Sequence, residues 1–135
     1  QREVAERMAA DPGGEEYSSF TVLVRSSYAV RIEGDVPPDA FFPQPRVKST
    51  VLTLTPRQDA PGPRERWELS RIARGFFASR RKTIRNALKR SFTPAECEHL
   101  IKLLEQLKVP LERRGETLSL ETYRALAKGL IRVER

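Results

Sequence analysis

The sequence has one cysteine, Cys97, and one histidine, His99, in 135 residues. A disulfide within the chain is therefore impossible, and a zinc site built from Cys and His alone is close to excluded. A Ser-His-acid triad has only His99 for its base, and no acid or nucleophile is placed around it by spacing. Cys97, two residues earlier, falls on a different helix face and reads as a small buried hydrophobe. No run of about 18 apolar residues occurs, which rules out an ordinary membrane-spanning helix. No phosphate-cradling glycine loop is present either, because Gly13-Gly14 runs into Glu15-Glu16, whose charges repel phosphate. Absent disulfides fit a reducing compartment. What is there is 39% hydrophobic residues, enough for a modest core, and a net charge of +7.

That charge is concentrated. Between residues 61 and 90 the basic side chains are Arg64, Arg66, Arg71, Arg74, Arg80, Arg81, Lys82, Arg85, Lys89 and Arg90, against only Glu65 and Glu68. The rest of the chain is nearly balanced. A concentrated patch makes a local positive potential that attracts polyanions, whereas a diffuse one only aids solubility. Most of these residues are Arg, whose planar fork suits phosphate and base edges better than the Lys ammonium does. The bland alternative is a solvated helix face.

Val4, Ala5 and Met8 form a helix face, ended by Asp11-Pro12-Gly13-Gly14. Phe20, Leu23, Val24 and Tyr28 fall at helical spacing after a capping Ser, so a helix is expected there despite the β-branched residues. Val30, Ile32 and Val36 then alternate with Arg31, Glu33 and Asp35, the pattern of a half-buried strand. Pro37, Pro38, Pro43 and Pro45 enclose Phe41-Phe42 in a stiff loop. Lys48 to Thr55 reads as a second strand, ended by Pro56.

Residues 58–66 read as a linker between a segment 1–57 and a helical domain 67–135. Leu69, Ile72, Ala73, Phe76 and Phe77 form an apolar stripe from Trp67 onward. Thr93-Pro94-Ala95-Glu96 carries a cap, a first-position Pro and the Glu of a capping box. Ser119 caps a last helix. About four helices are expected after the linker.

Two features could carry function. Prolines around Phe41 and Phe42 remove backbone freedom, so either ring could form a fixed wall for a flipped base. From composition alone, the favoured reading is that both plug the core beneath the strands. The segment Ala78 to Arg90, if one helix, puts Arg81, Arg85 and Lys89 on one exposed stripe, with Thr83 and Asn86 as neutral donors.

The run Phe76-Phe77-Ala78-Ser79-Arg80-Arg81-Lys82-Thr83-Ile84-Arg85-Asn86-Ala87-Leu88 resembles a signature of the ribosomal RNA adenine dimethyltransferases. So do Gln1 to Arg7, Val36 to Ser49, and Arg114 to Ser119, in the family's order; Tyr17 to Val22 matches loosely. Ser18, Arg25, Gln44 and Ser79 depart from the family pattern and leave Phe41 and the basic run intact. The resemblance implies an α/β fold: last strands of a Rossmann-like methyltransferase sheet, followed by a small all-helical C-terminal domain. It implies dimethylation of two adjacent adenines near the 3′ end of small-subunit rRNA, with S-adenosylmethionine as methyl donor. The family's glycine and Asn-Leu-Pro-Tyr motifs precede the matched segment, so a C-terminal portion that binds no cofactor and is inactive alone is expected. Phe41 would stack on the substrate adenine, supported by Pro43 and Pro45. Arg74, Arg80, Arg81, Lys82, Arg85 and Lys89 would contact rRNA. The implied partner is small-subunit rRNA in the immature small ribosomal subunit, in the cytoplasm, with no membrane and no metal. Two other readings share the basic helices: a stand-alone RNA-binding assembly module, and a helix-turn-helix DNA-binding regulator, which leaves Phe41 without a job.

Overall fold

The computed structural model describes residues 1–133; Glu134 and Arg135, the end of the expected helical domain, lie outside them. Helix α1, Arg2–Ala9, buries Ala5 and carries the exposed pairs Arg2–Glu6 and Glu3–Arg7 one turn apart. The chain turns at Gly13, whose φ of 87° suits glycine and whose amide donates to the Glu116 carbonyl at 2.8 Å. Helix α2, Ser19–Ser27, starts from a reciprocal capping box between Ser18 and Thr21. The Thr21 hydroxyl also donates to the Arg7 carbonyl at 2.6 Å, tying α2 to α1. The cap and the burial of Thr21, Val22 and Ser26 outweigh the strand preference of this β-branched run.

Strands β1, Tyr28–Val36, and β2, Ser49–Pro56, form an antiparallel pair whose register shifts between Ile32 and Gly34. Across it, the Thr53 hydroxyl donates to Glu33 at 2.6 Å and that of Thr50 to Asp35 at 2.7 Å. Both strands fall where alternation and β-branching predict them. The expected burial is only partly met. Val30 and Val36 are half-buried, but Ile32, Val51 and Leu54 stand open. Among the described residues, α1 and α2 pack beside the pair.

Four helices follow: α3 (Pro63–Ala78), α4 (Ile84–Ser91), α5 (Pro94–Gln106) and α6 (Leu120–Val133). Their core holds Leu69, Ile72, Phe76, Ile84, Leu88, Leu100, Leu104, Tyr123 and Leu126, all fully buried. Tyr17 and Val22 belong to the same core, and the Tyr17 hydroxyl donates to the Leu118 carbonyl at 2.7 Å. Phe77 stacks on Tyr123 and meets Tyr17 edge-on. No described helix is long and apolar enough to cross a membrane. The architecture is thus a mixed α/β one, with a small sheet at one side of a helical cluster.

Two boundaries differ from the sequence reading. Helix α3 begins at Pro63, inside the stretch 58–66, because a first-position proline sets helical φ and needs no amide partner. The segment Ala78 to Arg90 is not one helix. Helix α3 stops at Ala78, and the chain turns over Ser79 to Lys82, with the Lys82 amide donating to the Ser79 carbonyl at 2.8 Å. Helix α4 restarts under a Thr83 cap.

Candidate nucleic-acid interface

The basic residues divide by what already holds them. Arg80 turns inward: its Nε donates to Glu116 at 2.7 Å, its Nη2 reaches the carbonyls of Gly14 and Glu15, and its guanidinium lies over the Phe77 ring. Arg85 pairs with Glu112 at 3.0 Å, and that hydrogen bond holds the Glu112 carboxyl below its ordinary range. Arg71 bridges Glu68 and Glu96. Arg90 donates to the Ser79 hydroxyl at 3.3 Å. Arg74 on α3, Arg81 and Lys82 in the turn, and Lys89 on α4 are exposed and have no ion-pair partner among the described residues.

The expected stripe of Arg81, Arg85 and Lys89 is therefore broken. Arg85 and Lys89 share the outer face of α4, one turn apart, while Arg81 sits with Lys82 on the preceding turn. The turn keeps the charge concentrated, but it spends Arg80 on joining the turn to the Gly14–Glu15 segment.

Phe41 stands on a different element, the connection between β1 and β2. A single 3-10 turn, Pro38–Ala40, precedes it, and its amide donates to the Pro38 carbonyl at 3.3 Å. Phe41 is 44% exposed and Phe42 fully so. Among the described residues neither ring belongs to the buried cluster, which lies among the helices. Pro45 is half-buried and Pro43 exposed, on either side of Gln44.

The remaining chemistry-bearing side chains are structural. His99 Nε2 lies 3.0 Å from the Gly129 carbonyl, where α5 meets α6. Cys97 is half-buried, donates to the Leu88 carbonyl at 3.1 Å, and has its thiol pKa pushed up by burial. Sequence spacing missed one residue. Trp67, placed at the head of the apolar stripe, is 68% exposed on α3. Helical phase was the available signal, since Trp67 aligns with Arg64, Arg71 and Arg74 rather than with Leu69 and Ile72.

A family model described as ribosomal RNA adenine dimethylase matches residues 1–126. The ribosomal RNA small subunit methyltransferase A of Synechocystis sp. is 42% identical over 132 residues, covering 96% of this chain and 45% of the relative. That of Desulforapulum autotrophicum is 36% identical over 132 residues, covering 96% and 46% respectively. The chain thus spans less than half the length of these curated relatives. Among solved structures, a dimethyladenosine transferase from Plasmodium falciparum superposes with a TM-score of 0.77 at 24% identity, over 93% of this chain and 53% of that one. The 23S rRNA methyltransferase ErmE superposes with a TM-score of 0.64 at 20% identity, over 97% and 52%. These two likenesses bear on the fold.

Proposed function

The chain belongs to the ribosomal RNA adenine dimethylase family, and on that footing we propose that it is the RNA-gripping part of a small-subunit rRNA adenine dimethyltransferase. The complete enzyme would use S-adenosylmethionine to dimethylate two adjacent adenines near the rRNA 3′ end, on immature small subunits in the cytoplasm. Residues 1–57 would complete its methyltransferase domain, 58–66 would connect, and 67–135 would form the helical rRNA-binding domain.

The observation that carries this reading is Phe41, 44% exposed among prolines on the connection between β1 and β2. A ring fixed outside the core is available to a flipped adenine, and base–aromatic stacking is worth about 1–3 kcal/mol. Pro43 and Pro45 limit the loop's motion, so less ordering is left for binding. Arg81, Lys82, Arg74 and Lys89 supply charge for phosphates, with Arg85 available by exchange from Glu112. Arg80 serves this surface by positioning the turn. The work of these residues is to orient the base.

The one adjacent glycine pair has its amides already engaged. The Gly13 and Gly14 amides donate to the carbonyls of Glu116 and Asp11, and Glu15 follows. No cofactor contact and no methyl-transfer step is assigned to them, and the chain alone is proposed to bind RNA without methylating it.

Competition binding tests the reading. A small-subunit rRNA 3′ hairpin with two unpaired adenines should displace duplex DNA from the chain, and Phe41→Ala should weaken hairpin binding about tenfold. Preference for duplex DNA would favour the regulator. Adenine methylation of immature subunits by the purified chain would overturn its assignment as RNA-gripping only.

A further inference from the structure

We propose that Trp67 is a second base-stacking residue, and that the outer face of α3 takes unpaired nucleotides of the RNA. Sequence and helix geometry set the stage. Residues 64, 67, 71 and 74 fall on one side of α3, opposite the buried Leu69, Ile72 and Phe76. That side carries Arg64, Trp67, Arg71 and Arg74, with Trp67 at 68% exposure. An indole in that position buries little of its large apolar surface in the fold, and tryptophan is enriched where binding partners bury it.

The surroundings identify the partner. A recess of about 290 Å³ is lined by Pro63, Arg64, Trp67 and Glu68. Glu68 is buried and its carboxylate is already paired with Arg71, so it is not left as an open negative charge in the recess. Arg71 is fixed between Glu68 and Glu96, while Arg64 and Arg74 on the same face are exposed. Trp67 is an exposed aromatic ring on a helix face that otherwise carries Arg64, Arg71 and Arg74. A protein partner would be met by a wider apolar patch. A polyanion with flat apolar rings matches both the charge and the indole face, and single-stranded RNA has both. Trp67 lies about 16 Å along the helix axis from the end of α3, where the Arg81–Lys82 turn begins. One strand could track from that turn along the outer face of α3.

The inference rests on the proposed RNA binding, and its test separates the two. Trp67 is the only tryptophan, so its emission reports this site alone. The chain is titrated with a single-stranded RNA twelve-mer (about 12 nucleotides, within the reach of a stacking platform) and with the same strand annealed to its complement. The single strand should quench the emission saturably, and the duplex should quench it less. Trp67→Ala should bind the single strand about tenfold more weakly, while Trp67→Phe stays within about twofold. Arg81→Ala with Lys82→Ala should weaken binding yet leave the full quench at saturation. If the chain binds RNA with unchanged emission, and Trp67→Ala binds as tightly, the indole takes no part in RNA binding and this inference falls while the RNA reading stands. If no RNA binds at all, both fall.

Discussion

The Nε of Arg80 lies 2.7 Å from Oε2 of Glu116, and the same guanidinium caps the carbonyls of Gly14 and Glu15 while covering the Phe77 ring. One side chain thereby joins the basic turn, the N-terminal segment and the loop before α6. The first member of the Arg80-Arg81-Lys82 cluster is thus a fastening, and its neighbours are the free cations. Arg80→Ala should lower stability by about 1–2 kcal/mol, since the pair is only partly screened by solvent and two carbonyls lose a donor. That corresponds to a fall in Tm of about 4–8 °C, read by thermal denaturation. An unchanged Tm would show that the contact carries no weight.

Arg81 and Lys82 should behave in the opposite way. Both are exposed, with no ion-pair partner among the described residues. Replacing both with Ala should leave Tm unchanged within error and flatten the dependence of RNA affinity on salt. The slope should drop by about 1.5 log units per log of salt if each meets one phosphate. Binding isotherms between low and moderate salt give the slope directly.

Gly115 packs where no side chain fits. A Cβ there would lie 2.6 Å from the Cβ of Phe76 and 3.1 Å from the Tyr123 hydroxyl, which itself donates to the Gly115 carbonyl. Neither neighbour is the end of a flexible chain. Gly115→Ala should cost about 1–3 kcal/mol through overpacking, measured as a lower urea midpoint with an unchanged m-value.

Acid should unfold the chain through its paired carboxylates. A hydrogen bond from Arg71 holds the Glu96 carboxyl below its ordinary 4.5, and one from Arg57 holds that of Asp59 down to about 2. A depressed folded pKa means the unfolded chain takes up protons first, so the stabilisation is complete above the ordinary values and is lost as pH falls through the folded ones. Tm should be level from about pH 7 to about pH 5 and fall as pH drops below about 4.5. Glu96→Gln keeps a capping side chain at that position and should make the fall shallower.

Local chemistry was legible and tertiary competition was not. The Thr93 capping box is formed as spelled, with Thr93 accepting from the Glu96 amide and Glu96 accepting from the Thr93 amide. Ser119 caps as read, a serine before Phe20 caps α2 and is Ser18, and the two strands lie where alternation and β-branching put them. The break at Ser79–Thr83 has no Pro or Gly to announce it. It arises because the Ile84 and Arg85 amides, orphans of a new first turn, donate to the Arg113 and Leu111 carbonyls from a distant loop. For the same reason the partners of Arg80 and Arg85, Glu116 and Glu112, were out of sight: nothing in a run of basic residues says which carboxylate folds back onto it. Phe41 lay between the two cases. The prolines marked the loop, but nothing local says whether its rings pack inward or stay open.

The stretch that composition marks as a tether is tied at several points. Arg124, nearly buried on α6, donates to the Asp59 carbonyl and carboxylate and to Glu65, while Arg57 grips Asp59 from the other side and reaches the Arg25 carbonyl. Such a connector passes torque instead of dissipating it. The stretch therefore fastens the end of α2 to α6 through its own side chains. Under the proposed RNA-binding reading, an RNA that reached both the Phe41 loop and the basic turn would engage the second as an intramolecular event at high effective concentration.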